Sequence, residues 1–370
     1  MDFELSAEQE QLRAAVRRFL EERAPIATVR ALLDDERGTT DELWKGLCEL
    51  GLPGILVPEE HGGAGLSLLE MGVVLEELGR AVHPGPFQSS ALEAVSLIRA
   101  AGLPEDRAAW LPGLAAGARI ASVALCEPGR RYAWREPACL ARAQGAGFRL
   151  SGAKVHVPDA PAADLYLVSA RAGAQTAVFA VERGAAGLEV RATPSVDGTR
   201  KQGALELRDA PARRLGRGDA GAALAESRDR VQAGLVADGL GAAARAFELA
   251  LAYAQQRQQF GRPIGTFQAV QHLLVDMLQD LELGRAAAYY ALWAADEAEP
   301  AERHRAATLA IAFASEAFPR LAEQAIQVFG GVGFTWEYDI HLYYKRLLSL
   351  RHALGLPSDH LETLAQIALD

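Results

Sequence analysis

Tyr253-Ala-Gln-Gln-Arg-Gln-Gln-Phe-Gly-Arg-Pro-Ile-Gly-Thr-Phe-Gln-Ala-Val-Gln-His272 is flanked by helical periodicity on both sides and broken in its middle by glycine and proline. Local chemistry predicts a helix ending at Gly261, with Arg257 placed favourably against the negative helix end. A turn at Pro263-Ile264 and a second helix running through Leu273 to Met277 follow. From about Ala220 onward, Ala/Leu/Glu/Arg segments of helical period are interrupted at Gly261-Arg262-Pro263, Glu299-Pro300, Gly330-Gly331 and Gly355-Leu356-Pro357. That pattern predicts a helical bundle over residues 219–370.

Upstream of the bundle the period changes. Ile120 to Leu125, Phe148 to Val157, Leu165 to Ser169, Ala177 to Val181 and Leu188 to Ala192 are strand-length runs separated by turn-formers such as Ser151-Gly152 and Arg183-Gly184. They predict a small antiparallel barrel or sandwich over residues 120–218, ending near Arg208 to Gly218. Residues 1–119 read as helices again. Ser6 with Gln9 fits a capping box, Thr40 or Asp41 caps a second helix, and Pro58 to Gly65 reads as a loop. Leu66 to Leu78 and Ala91 to Ala101 complete the set, split by Pro84-Gly85-Pro86 and followed by a turn at Pro104-Glu105.

The 370 residues carry 38 Lys plus Arg against 48 Asp plus Glu, a net charge of −10, the wrong sign for gripping a phosphate backbone. Nucleic acid is therefore not an expected partner. Half the residues are hydrophobic and no apolar run reaches the roughly 18 needed to span a membrane, so the expectation is a globular, cytoplasmic protein. Cys48, Cys126 and Cys139 form no CxxC pair, and the histidines form no HxxxH or HxH, so neither a disulfide framework nor a metal site is expected.

The joint spacing of Arg257, Gln259, Phe260, Gly261, Pro263, Ile264, Phe267 and Gln268 resembles the signature of the acyl-CoA dehydrogenase flavoprotein family. Gln324 to Glu337 is similar to that family's Gln-x-x-Gly-Gly-x-Gly-Phe-Thr motif, and Leu50 to Leu66 and Glu76 to Arg80 are similar to its N-terminal loop and helix. The resemblance covers about Phe3 to Leu361 and implies an N-terminal α-helical domain, a middle antiparallel β-barrel and a C-terminal α-helical bundle. It also implies FAD, an acyl thioester substrate, an electron-transferring flavoprotein as acceptor, and a homo- or hetero-oligomer, dimer or tetramer. By carry-over, Arg257, Gln327, Gly330 and Gly331 would face the ADP half of FAD, often that of a neighbouring subunit, with Gln259, Phe260, Phe267 and Gln268 contacting cofactor at the same interface. The chemistry suits a pyrophosphate, which needs a cation and close backbone approach. Gly330-Gly331 alone equally suits a tight inter-helix connection.

The barrel segment that faces the flavin in this family reads roughly Thr-Glu-Pro-x-x-Gly-Ser-Asp, and here it is Leu125-Cys-Glu-Pro-Gly-Arg-Arg-Tyr-Ala-Trp134. Cys126 replaces the hydroxyl residue and is a weaker donor, or simply a small buried residue. A second flavin-facing position falls at Val155-His156-Val157, after Gly152-Ala-Lys154. Such departures are associated with a branch of the family that takes bulky acyl groups.

Removing the weakly acidic α proton of an acyl thioester needs a base, suitably a carboxylate of raised pKa. The family's two usual positions fall on Leu354 and Val231, neither an acid. Asp238, two turns beyond Val231 in Leu235-Val-Ala-Asp-Gly-Leu240, is the nearest alternative, either as a buried base or as an Asp near a helix start bonded to backbone or an Arg. Asp229 and Glu226 are weaker candidates beside Arg228 and Arg230. Three functions follow: a FAD-dependent acyl-CoA or acyl-carrier dehydrogenase with a displaced base, a catalytically silent subunit completing a partner's FAD site, or a relative with another reaction, such as a flavin-dependent oxidation or a redox-silent thioester step.

Overall fold

A computed structural model of the chain describes residues 5–130, 132, 134–145 and 147–369. Its helices are α1 (Ala7–Arg23), α2 (Ile26–Ala31), α3 (Asp41–Glu49), α4 (Leu68–Arg80), α5 (Val95–Ala101), α6 (Pro104–Ala115), α7 (Gly221–Gln256), α8 (Gln268–Glu297), α9 (Pro300–Phe329), α10 (Ile340–Leu350) and α11 (Pro357–Leu369). The strands of the barrel are β1 (Ala121–Ala124), β2 (Leu140–Gln144), β3 (Gly147–Pro158), β4 (Leu165–Ala172), β5 (Gln175–Glu182), β6 (Leu188–Thr193) and β7 (Gln202–Leu215). A helical N-terminal domain, a middle β-barrel domain and a helical C-terminal domain thus follow one another along the chain.

Most helix starts follow their local chemistry. The Gln9 amide donates to Ser6 Oγ at 3.2 Å and the Ser6 amide to Gln9 Oε1 at 2.9 Å, which is the capping box expected of α1. Thr40 Oγ1 accepts from the Leu43 amide and starts α3. By contrast, α4 begins at Leu68, two residues later than the sequence pattern suggests, because the Leu68 amide is capped by the Asp296 carboxylate at 2.6 Å. Pro104 does not mark a turn, as expected, but opens α6, where a first-turn proline loses no hydrogen bond. Ahead of α5, Gln88–Ala94 form a π-helix.

By contacts the chain forms two compact units, one of Met1–Arg30, Leu68–His83 and Gln232–Asp370 and the other of Ala31–Ser67 and Pro84–Val231. The second holds the barrel. β4, β2, β3, β7 and β5 close a ring through the β4/β5 pairing, with β1 added to β4 and β6 to β7. The ring is not wholly antiparallel, which the sequence pattern leads one to expect, since β2 meets β4 in parallel at Leu140 and Arg171, and the added β1 also runs parallel to β4 with Ala121 opposite Leu165. Leu150, Tyr166, Val168, Phe179, Val181 and Leu205 fill the interior. β2 and β7 are not among the strands that the sequence pattern predicts. β2 is a short stretch with little apolar alternation, and β7 carries Asp209 at φ 55 and Pro211, features that read as a domain boundary.

In the helical unit α4 crosses α7 with almost no space between backbones. A Cβ on Gly241 would lie 1.8 Å from the Glu76 carbonyl oxygen, and one on Gly79 would lie 1.9 Å from that of Asp238. The carboxylates of α4 are tied on either side of this crossing. Glu76 accepts from Tyr289 Oη at 2.6 Å and Arg285 at 3.0 Å, and Glu77 accepts both donors of Arg17 at 2.8 and 2.6 Å. Among the described residues no helix is long and apolar enough to cross a membrane, and no group of His, Cys, Asp and Glu could hold a metal ion.

Candidate cofactor site

The sequence pattern carries α7 to Gly261, but the helix stops at Gln256. Gln258 and Gln259 pair with Arg262 and Pro263 in a minimal hairpin whose tip is Phe260 at φ 53 and Gly261 at φ 78. Two consecutive positive φ angles define the type I′ turn that matches strand twist, and an aromatic residue rarely occupies one. The Ile264 amide donates to the Arg257 carbonyl at 2.8 Å and fixes the hairpin base. Phe260 is 91% exposed, edge-on to Phe267 at 6.1 Å, and the Arg262 guanidinium lies 4.2 Å from the Phe267 ring. Arg257, Gln259 and Gln268 are exposed beside it, and Arg257 has no ion-pair partner among the described residues.

One aromatic cluster brings the second motif alongside. Tyr253, one turn before Arg257, stacks on Phe329 at 4.3 Å, and Tyr338 meets both edge-on at 5.8 and 5.3 Å. The C-terminal ends of α7 and α9 are thereby joined, with Gln327 exposed on the last turn of α9. Gly330 needs its missing Cβ because it ends α9 at φ 67. Gly331 has no such need, for its φ is ordinary and a Cβ there would meet nothing within 4 Å. Deeper on α7, Gln232 is fully buried, yet neither its amide oxygen nor its nitrogen has a partner among the described residues, nor does the buried amide oxygen of Gln324. Buried amide atoms are rarely left so.

In the barrel unit, the chain at Leu125 and Cys126 is held by a buried ion pair. Lys154, fully buried on β3, donates to Glu127 Oε1 at 2.8 Å, Ser169 Oγ at 3.0 Å and the Leu125 carbonyl at 3.3 Å. Glu127 also accepts from the Ala138 and Cys139 amides at 2.6 and 2.9 Å. Burial pushes the Glu127 carboxyl up, but Lys154 and the two amides outweigh it and hold the group below the usual carboxylate range. In the sequence Lys154 serves only as a landmark; its place inside a barrel strand is the signal that it needs a buried partner. Cys126 is buried, and burial pushes its thiol up to about 11, so it is a neutral donor at physiological pH. Val155 is half-buried and His156 exposed at φ 51, where β3 shifts register against β7. Arg131 and Ala133, in the stretch that departs most from the family pattern, lie outside the described residues.

Val231 is buried on α7 and Leu354 sits in a left-handed turn after α10 at φ 56. Asp238 is not near a helix start but in the middle of α7, and it is not alone in its apolar run. Arg346 Nη1 donates to both Asp238 oxygens at 3.0 and 3.2 Å, and its Nη2 to the His83 carbonyl at 3.1 Å. Both side chains are buried. A carboxylate held by a buried guanidinium in this way anchors the two helices to each other.

Comparison with known proteins assigns all three regions. Models of the acyl-CoA dehydrogenase N-terminal, middle and C-terminal domains match residues 6–118, 122–210 and 219–369. The acyl-CoA dehydrogenase IpdE2 of Mycolicibacterium smegmatis is 32% identical over 97% of this chain and 98% of its own. Two solved structures share the fold. One is the steroid ACAD Tcur3481-Tcur3483, 34% identical at a TM-score of 0.90 over 98% of each chain. The other, the ChsE4-ChsE5 complex of Mycobacterium tuberculosis, is 29% identical at a TM-score of 0.92, covering 100% of this chain and 99% of that one.

Proposed function

The chain belongs to the acyl-CoA dehydrogenase family of FAD-dependent oxidoreductases, and from that premise we propose that it is the base-lacking subunit of a heteromeric acyl-CoA dehydrogenase for a bulky acyl thioester. The observation that carries this reading is that no free acid stands at a base position: Val231 and Leu354 are apolar, and Asp238 is neutralised by Arg346. Two solved relatives support it. ChsE4 and ChsE5 form a complex, which favours the heteromer, and Tcur3481-Tcur3483 is a steroid ACAD, which favours the bulky acyl group.

The residues present fit FAD. The unpaired Arg257 guanidinium offsets pyrophosphate charge, the open space at Gly331 allows close backbone approach, and the orphaned Gln232 and Gln324 amides offer hydrogen bonds. Phe260 and Phe267 present aromatic surface, with Gln259, Gln268 and Gln327 as polar contacts. Leu125 and Cys126 take the flavin-facing role on the barrel, kept in place by Lys154 and Glu127. When bound, FAD takes up the hydride lost from the β carbon, and an electron-transferring flavoprotein is the proposed acceptor. The α proton goes to a carboxylate of the partner subunit. The exposed face formed by Arg257, Phe260, Gln327 and Gly331 is where a second subunit would complete the cofactor site.

The test is to purify the chain alone and together with a family member that has an intact Tyr-Glu-Gly-Thr base segment. We expect little or no bound flavin alone, and full flavin content with bleaching by acyl-CoA in the complex. One flavin per chain, bleached by acyl-CoA without a partner, would make it a complete dehydrogenase and overturn the proposal.

A further inference from the structure

A cavity of about 530 Å³ lies within the barrel unit, apart from every residue given a cofactor role above. Three guanidiniums line it, Arg99 on α5, Arg107 on α6 and Arg230 on α7, together with His61 from the loop before α4. Two carboxylates, Glu60 and Glu226, share the wall with these three guanidiniums. Arg230 has only 12% of its side chain exposed and pairs with Glu226 at 3.7 Å. Arg107 donates to the Arg99 carbonyl at 2.5 Å, while its Nε is buried without a partner. Ser96 is the decisive residue. It lines the same cavity, is 2% exposed, and its Oγ has no hydrogen-bond partner among the described residues.

A buried hydroxyl and a buried guanidinium nitrogen, both left unbonded by the described residues in a cavity lined by three arginines, describe a site built for an acceptor. Guanidinium forks match the planar or tetrahedral oxygens of carboxylates and phosphates. We propose that this cavity is an oxyanion-binding site, in which Ser96, Arg99, Arg107 and Arg230 hold a carboxylate or phosphate carried by the acyl thioester. The oxyanion belongs either to a second carboxylate on the acyl group or to a phosphate of the CoA. That last assignment rests on the function proposed above, whereas the site itself does not.

The full-length chain is titrated calorimetrically with sodium glutarate and, separately, with inorganic phosphate, at constant ionic strength. Wild type is expected to bind at least one of them saturably, with affinity falling about tenfold in Arg107→Gln and about fivefold in Ser96→Ala. Ser96→Ala removes a single oxygen and guards against a misfolded arginine variant. Equal affinity in all three proteins, or no saturable binding of either ion by wild type, overturns the site. Binding of glutarate alone, with CoA and 3′-dephospho-CoA bound equally, identifies an acyl carboxylate; binding of phosphate, with 3′-dephospho-CoA weakened, identifies the CoA phosphate. Ion binding without affinity for any thioester keeps the site and removes the thioester reading.

Discussion

Asp238 shows what one residue's neighbours in sequence do and do not determine. Its apolar run correctly marks it as buried, but its partner is 108 positions away in α10, and no local pattern joins the two. The same is true of Lys154 and Glu127, which stand 27 residues apart. Removing one member of such a pair strands the other as a buried charge. Asp238→Asn is therefore expected to cost about 3–5 kcal/mol of stability, seen as a lower midpoint in thermal denaturation. Flavin bleaching per folded complex should be unchanged. Normal stability with bleaching abolished would instead make Asp238 the base.

At the scale of elements, strongly periodic helices and the alternating strands were legible, while elements shaped by tertiary contact or special backbone were not. β7 reads as a boundary because its charges and Pro211 suit a loop, yet it pairs with β3, β5 and β6. The hairpin after α7 was hidden because Phe260 is a poor residue for φ 53, and sequence logic prefers to keep such a residue helical. Holding it there costs about 1–2 kcal/mol. Phe260→Gly should relieve that strain, raising the thermal midpoint by an amount worth about 1 kcal/mol, and at the same time reduce flavin retained by the complex on gel filtration. A variant neither more stable nor poorer in flavin would leave the strain without a purpose at the cofactor face.

For the whole molecule, the order of helical, barrel and helical regions was legible because three separate motifs agreed, whereas the Ser96 cavity draws on four segments and had no signature. Stability as a function of pH is also a property of the whole. Burial pushes the Glu93 carboxyl up to about 8, Asp159 adds to the effect, and Arg200 and Gln88 partly offset it. The folded chain then keeps a proton that the unfolded chain loses near its ordinary value of 4.5, so stability falls as pH rises from about 4.5 to about 8. Glu127 acts in the opposite sense and at lower pH, its contribution being lost as pH drops below the carboxylate range. Glu93→Gln should flatten the slope between pH 5 and 8 in urea titrations at successive pH values, and an unchanged slope would remove Glu93 as its source.

The crossing of α4 and α7 couples the chain's assembly to time. Gly79 and Gly241 are 162 residues apart, yet neither helix can finish packing until the other's backbone is in place. At about 5–20 residues per second, a ribosome needs roughly 8–30 s to travel between them. Through that interval α4 has α1 to pack against, but the face that meets α7 has been synthesised and has no mate, so the nascent N-terminal segment carries uncovered apolar surface.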